Sequence, residues 1–388
     1  MNGSRQQRLR VVIVGGGIIG CLTAWYLARR GAAVTVLERG RAGMESSWAG
    51  AGILCPIHPW LYPDAFTELV EASLALYPEL SAELHHLTGI STEWCRSGLL
   101  IPEFAEDRVS HREAALAWSA RFEWQVESLD ASALHLAEPL LSKAAEGGLL
   151  WPDVGQVRNP RLLQAVRVAM LQAGVELREG ADVVGPLEEN GRVCGVLLAG
   201  GGRLQAEQVL LAAGSWSGEL AGQFGLKLPV EPVKGQIVLL KTMPGTVRHI
   251  IKHDDAYFVP RTDGRVLVGA SMERVGFARG TTDAVVDSLL AAAYRIVPAL
   301  QQAEIERQWM GFRPGSPDGL PYLGPVPGKP GLWVASGHYR NGVALAPITA
   351  ELMSGWMLGE VPKMELSAFR IGRPLQASGD LGLPDKGD

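Results

Sequence analysis

Apolar and polar positions along this 388-residue chain fall into a few recognisable periods. Residues 11–14 are all Val or Ile and run into glycines, the pattern of a strand buried on both faces. Leu22, Trp25, Tyr26 and residues 28–30 then read as one helix. Gly31 stands where a left-handed cap would close it, and residues 34–37 form a second strand that ends on Glu38. A further helix is expected to open at Asp64 or Ala65, because Phe66, Leu69, Val70, Leu74, Tyr77, Leu80 and Leu84 recur at 3.6 spacing. Residues 159–173 read the same way through Leu162, Val166, Met170 and Leu171, with Gly174 as the cap.

Between these lie strand signals. Residues 98–102 predict a strand and 108–121 a helix of a different unit. Residues 175–178 and 181–184 read as short strands returning to the first sheet. Residues 192–198 and 203–206 form a hairpin about Gly200, Gly201 and Gly202, and 208–213 is a buried strand that ends at Gly214-Ser215-Trp216. From 229 to 313 the style changes: strands at 235–240, 257–260 and 266–269 and a helix at 284–296 predict a domain built on antiparallel sheet. A strand-to-turn at 331–337 and a helix at 346–358 return to the opening style, so the two units are interleaved. No repeat or low-complexity tract is visible.

Composition narrows the class. Length suggests about two domains, and 47% apolar with 20% charged residues is ordinary for a globular chain. A net charge of −5 without a long basic run argues against nucleic acid as a partner. Cys21, Cys55, Cys95 and Cys194 are scattered without metal-ligand spacing, so no metal and a reducing compartment are expected. No apolar core of a signal peptide follows residues 1–10, and no stretch reaches the ~18 apolar residues of a membrane span, so the expected location is cytoplasmic.

The opening unit carries the first chemistry. Gly15, Gly17 and Gly20 fit G-x-G-x-x-G between strand and helix, and Glu38 follows Gly20 by 18 positions at the end of the second strand. Gly15 permits the tight turn, Gly17 the approach of a pyrophosphate, and Gly20 close packing of helix on sheet. The helix start offers N–H groups to phosphate, and Glu38 can accept from a ribose hydroxyl. Taken alone, the motif does not separate FAD from NAD.

Residues 39–54 form a loop of small residues with the hydroxyls of Ser46 and Ser47, suited to close approach of a flat ligand and free to meet phosphate. Residues 55–64 hold three prolines with Trp60, Leu61 and Tyr62, which read as a lid, a membrane contact or simple packing. Late in the chain, Trp309-Met-Gly-Phe-Arg313-Pro-Gly-Ser-Pro-Asp318-Gly and Gly337-His338-Tyr339-Arg340-Asn341-Gly342 read as glycine-rich turns. Each presents a guanidinium that can take a carboxylate or sit in a surface ion pair. No hydrolase, zincin, P-loop or EF-hand pattern occurs.

Taken together, five stretches resemble the D-amino-acid-oxidase-type flavoproteins, most closely their glycine oxidase (ThiO-type) branch. They are the opening motif with Glu38, Ser46-Ser47-x-Ala49-Gly50-x-Gly52, Ala212-Ala213-Gly214-x-Trp216, Gly311-x-Arg313-Pro314 and residues 337–342. The resemblance spans residues 10 to about 360. It implies an α/β fold in which a Rossmann-type FAD-binding domain (1–89, 150–227, 314–388) is interleaved with an α+β antiparallel-sheet substrate domain (90–149, 228–313). It also implies FAD as the cofactor, a link to thiamine biosynthesis and a homo-oligomer.

The resemblance also implies roles, residue by residue. FAD would lie on Gly15, Gly17, Ile18, Ile19, Gly20, Glu38 and Arg39, on Ser46, Ser47, Ala49, Gly50 and Gly52, on Val183 beside the adenine, and on Ala213, Gly214 and Trp216. His338, Arg340, Asn341, Gly342 and Val343 would follow the pyrimidine edge of the flavin. Arg313 and Tyr257 would hold the substrate carboxylate with Arg340 close by, the Gly311 carbonyl would accept from the amine, and Met272 would shape the pocket. Asp255 stands where relatives can carry a histidine, which leaves the amine preference open.

The activity so implied is oxidation of glycine or a small D- or N-methyl amino acid by hydride transfer from Cα to flavin N5. Products are a 2-oxo acid, ammonia or amine, and hydrogen peroxide from dioxygen. Two alternatives stay open: a dehydrogenase of the same fold passing electrons to a quinone at a membrane surface, and a flavin-binding tRNA-modifying or structural protein.

Overall fold

In the computed structural model, residues 8–56, 58–106, 111–254 and 256–375 are described, and two large sheets divide the fold. The first has six strands. Its centre is Arg10–Val14, flanked in parallel by Ala33–Glu38 on one side and Gln208–Leu211 on the other. Glu176–Glu179 extends the Ala33–Glu38 edge and Leu332–Ser336 the Gln208–Leu211 edge, also in parallel. Tyr322–Pro325 closes the second edge antiparallel. Residues 11–14 are buried on both faces, which is why they read as an unbroken apolar run.

Helices Ile18–Arg29, Asn159–Gln172, Asp64–Thr88 and Ala346–Met357 pack on one face of this sheet, and their apolar residues form one core with Ile13, Val36 and Leu210. Gly31, at φ +91°, turns the chain after the first helix. The helix from Asp64 starts after Pro63 and buries Phe66, Leu69, Val70, Tyr77, Leu80 and Leu84, while Leu74 is half-buried.

The expectation for 181–184 needs correction. Val183–Glu189 pairs antiparallel with Arg192–Leu198, which pairs with Arg203–Gln205, in a separate three-stranded sheet. Only Glu176–Glu179 joins the first sheet; Gly180 turns the chain away at φ +69°.

The second large sheet has eight strands, with Glu304–Gly315 and Glu231–Lys241 paired antiparallel over eleven register positions at one edge. Arg265–Gly269, Ala256–Pro260 and Ile250–His253 follow, then Leu99–Phe104, Ala145–Trp151 and Glu127–Asp130. The helix Asp283–Ile296 covers one face, burying Val286, Leu289, Leu290, Ala293 and Ile296 against Val238, Phe258 and Val268. Ile250–His253 and most of Glu304–Gly315 gave no strand signal. The latter is exposed from Glu304 to Gln308, so no apolar alternation marks it.

Candidate functional site

A single cavity of about 1020 Å³ runs between the two sheets. It is lined by Glu38, Arg39, Val183 and Trp216, by Gly15, Gly17, Ile18, Ile19, Ser46 and Ser47, and by Tyr257, Arg313, Met272 and Arg340. Ala49, Gly50, Gly52, Ala213, Gly214, Gly311, His338, Asn341, Gly342 and Val343 line it as well. Residues named from sequence thus converge on one space from more than 300 positions of chain. Asp255 lies outside the described residues.

Gly20 is the exception, since it does not line the cavity. A Cβ there would lie 2.0 Å from the Gly15 carbonyl oxygen and 3.2 Å from Ile13 Cγ2, so the glycine serves the contact of helix with strand. Gly15, at φ +120°, allows the turn to meet Ala212, whose carbonyl oxygen a Cβ would approach to 2.3 Å. Only Ser47 Oγ, at 3.2 Å, would meet a Cβ on Gly17, so that side of the turn stays open to a ligand. The Glu38 carboxylate accepts from the Gly16 and Gly40 N–H groups at 2.9 and 2.7 Å, which fixes its orientation at the strand end.

The Ser46 and Ser47 hydroxyls are not loose. Residues Ser46–Ala49 form one helical turn within the expected loop. Ser46 Oγ donates to the Phe312 carbonyl and Ser47 Oγ accepts from Ile18 N–H at 3.0 Å. Ser46 has one proton, and that proton goes to Phe312, so it does not donate to phosphate in this arrangement.

Arg313 also sits differently from the expectation. It lies inside the strand Glu304–Gly315, opposite Val233, rather than on a turn. The guanidinium crosses Gly235, where a Cβ would fall 2.3 Å from Nη1, and Nη1 donates to the Ser271 carbonyl at 3.0 Å. Tyr257 is buried on the neighbouring part of the sheet. Burial pushes its phenol above the ordinary range, while Arg313, hydrogen-bonded to it, pulls the other way. Arg340 and the Tyr339 hydroxyl both meet Met272 Sδ, which ties the 337–342 turn to the segment that follows the strand Arg265–Gly269.

His338 is buried with Nε2 beside Thr349 Oγ1 at 3.1 Å, and desolvation lowers its pKa to about 3, so the ring is neutral. The turn that follows is held from the helix Asp64–Thr88: Tyr77 Oη donates to the Val343 carbonyl and Ser73 Oγ to that of Ala344 at 2.6 Å. Asp318, in the other arginine-bearing stretch, is engaged elsewhere: it is buried against Arg373.

Several lining residues escaped the sequence reading: His58, His111, Lys252, Asp254, Asn159 and Gly235. The His58 and His111 rings lie 5.0 Å apart and tilted by 40°, and burial, with Lys252 next in weight, lowers the His58 pKa to about 3. Nothing in their spacing links them. Gly235 had a signal, a glycine within a strand pattern, which marks close backbone approach. Trp60 and Leu61 are half-buried and Tyr62 buried, with Tyr62 stacked on Phe66 at 4.3 Å and Trp60 parallel to Trp151 at 6.2 Å. Trp60 and Tyr62 thus each pack against another ring of the fold. Among the described residues no helix is long and apolar enough to cross one.

Comparison with known proteins agrees with the geometry. Residues 10–356 match the family described as DAO, FAD dependent oxidoreductase. The chain is 42% identical to a glycine oxidase of Pseudomonas putida over 361 residues, covering 93% of this chain and 97% of that protein. It is 37% identical over 370 residues to a bifunctional protein ThiO/ThiG of Nostoc sp., covering 94% of this chain and 55% of that longer one. A crystal structure of glycine oxidase from Geobacillus kaustophilus superposes with a TM-score of 0.89 at 32% identity, over 95% of this chain and all of that one.

Proposed function

Because this chain belongs to the DAO family of FAD-dependent oxidoreductases, we propose that it deaminates glycine oxidatively, with FAD as cofactor and dioxygen as acceptor. One observation carries the reading: Arg313 and Tyr257 face the same cavity as the Gly15–Gly17 turn and the end of the Ala33–Glu38 strand. That cavity suits a dinucleotide. Its lining includes an anchored carboxylate, an open glycine at a helix start, a neutral buried imidazole and Arg340.

On this reading, residues 1–89, 150–227 and 314–388 hold FAD, and 90–149 with 228–313 face the substrate. Arg313 and Tyr257 would bind the carboxylate, a charge-assisted contact of about 1.5–3 kcal/mol. The Gly311 carbonyl would accept from the amine, and Met272 with Arg340 would close the pocket. Apolar walls from Ile53, Ile237 and Ala270 disfavour an ammonium ion, so the amine gives its proton to water as it binds and its lone pair becomes available. FAD held by the Gly15–Gly17 turn and Glu38 would supply a two-electron acceptor for the Cα–H bond, with dioxygen as the final acceptor. The imine then hydrolyses to the 2-oxo acid and ammonia.

Similarity to glycine oxidases does not favour the quinone-linked dehydrogenase or the tRNA-modifying or structural alternatives. Family resemblance is what supports a homo-oligomer. Tyr62 is buried on Phe66, Trp60 lies against Trp151 and Leu61 lines the cavity, which supports packing over a peripheral membrane contact for this segment. Glycine added anaerobically to the yellow protein should bleach the flavin, and readmitted air should restore it with formation of hydrogen peroxide. A flavin that glycine leaves oxidised overturns the reading; reoxidation by a quinone but not by air returns the dehydrogenase.

A further inference from the structure

Arg261 comes directly after the strand Ala256–Pro260, four positions beyond Tyr257, and is 7% exposed. Its guanidinium leaves the eight-stranded sheet and reaches two distant segments. Nη1 donates to Gln156 Oε1 at 2.5 Å and to the Val157 carbonyl at 3.0 Å, and Nη2 donates to the Ala51 carbonyl at 2.7 Å. All three acceptors are neutral. A buried cation on neutral acceptors is costly in itself, so its place in the fold asks for a role beyond holding the core together. Burial lowers its pKa to about 10, which still leaves it protonated at neutral pH.

The segment it grips, residues 49–52, is a fitted wall of the cavity. Gly52, at φ +79°, lies so close to Val157 that a Cβ would fall 2.0 Å from its carbonyl oxygen, and Val157 N–H donates to the Gly52 carbonyl at 2.9 Å. A Cβ on Gly50 would meet Asn159 Nδ2 at 2.8 Å, and that amide donates to the Ser47 carbonyl at 3.0 Å. From the other side, Trp309 Nε1 donates to the Ala49 carbonyl at 3.0 Å, and a Cβ on Gly311 would touch Ala49 Cβ at 2.5 Å. The wall is thus held between the strand bearing Gly311 and Arg313 and a layer formed by Val157, Asn159 and Arg261.

We propose that Arg261 is a positioning residue for the oxidation: it ties the 49–52 wall to the strand that carries Tyr257 and so fixes the width of the cavity where substrate and cofactor meet. The inference rests on the FAD reading given above. Tyr257 and Arg261 lie on one extended segment, about 13 Å apart at ~3.3 Å per residue, and act as the two ends of a strut. Reactions between held partners are sensitive to such spacing, and a misplacement of about 1 Å can cost ~100-fold in rate.

The test uses Arg261→Met and Arg261→Lys in the full chain. Anaerobic flavin reduction by glycine should slow about tenfold or more in Arg261→Met, while half-saturating glycine stays within about twofold, because the Arg313–Tyr257 clamp is intact. Arg261→Lys, which keeps the charge and one donor arm, should fall between. Independently of activity, amide exchange over residues 47–52 should quicken in Arg261→Met in both the loaded and the flavin-free protein, with residues 304–315 unchanged. A wild-type reduction rate, a shift of half-saturation in step with rate, or exchange that quickens everywhere overturns the proposal. If Arg261→Met does not fold, the same criteria apply to Arg261→Lys. Wild-type protein that holds flavin glycine cannot reduce refutes the glycine reading instead, and the exchange measured without flavin still decides the role of Arg261.

Discussion

Tyr257 lies directly opposite Gly269 on the adjacent antiparallel strand, and a Cβ on Gly269 would fall 2.7 Å from its ring. The phenol therefore lies across bare backbone, and a methyl group there has only a stiff ring to displace. Gly269→Ala is expected to push Tyr257 off its seat and raise KM for glycine roughly tenfold, the equivalent of about 1.5 kcal/mol for one charge-assisted hydrogen bond. Flavin content should not change. Steady-state kinetics with the flavin-to-protein ratio checks both points.

Arg313 repeats the arrangement over Gly235. Arg313→Ala removes the guanidinium and should raise KM for glycine steeply, by roughly 10- to 100-fold, with flavin still bound. Gly235→Ala should act in the same direction because it displaces the same side chain. A KM that stays unchanged for every amino acid in Arg313→Ala would remove Arg313 from the substrate clamp.

His338 gives a pH dependence with a definite sign. An unfolded histidine takes up its proton near pH 6.5, whereas burial holds the folded ring down at about 3. Between those values the unfolded chain binds more protons, so the contribution is complete above ~6.5 and is lost as pH falls toward 3. At pH 5 the loss is roughly 2 kcal/mol. His58, lowered to about 3 chiefly by burial, adds a loss of the same sign. Thermal denaturation of flavin-free protein at pH 7 and pH 5 should show a smaller drop in Tm for His338→Gln than for the wild type, and equal drops would refute the role of His338.

What could be read from the sequence depended on how locally each feature is specified. The strand, turn, helix and acid between Val11 and Glu38 are adjacent in the chain, and each residue has its own backbone reason, so that unit emerged nearly whole. Arg313 was recognisable as a residue but not as part of a strand. Residues 304–308 are exposed, Gly311, Pro314 and Gly315 weaken local preference, and the strand exists because it pairs with Glu231–Lys241. His58, His111 and Lys252 come from three segments that only the tertiary fold joins, and no spacing in sequence could have grouped them. Ser46 read as a phosphate donor because a loop sequence does not reveal that the Phe312 carbonyl will lie against its hydroxyl.

Asp318, which the sequence offered beside Arg313 as a carrier of chemistry, instead supports a structural prediction. Arg373 Nε and Nη2 each donate to its carboxylate at 2.8 Å, Arg373 also donates to the Pro321 and Leu320 carbonyls at 3.0 and 2.9 Å, and both side chains of the pair are 4% exposed. The guanidinium lies 3.9 Å over the Tyr322 ring. A buried pair of this kind adds little net stability over an apolar pair, but either partner left alone is a bare charge without water. Arg373→Met is therefore expected to cost about 3–5 kcal/mol in denaturant unfolding, and Arg373→Met combined with Asp318→Asn to recover much of that loss. Because neither Asp318 nor Arg373 lines the cavity, removing Arg373 should lower stability without changing KM for glycine, and a rise in KM at unchanged stability would tie the pair to substrate binding.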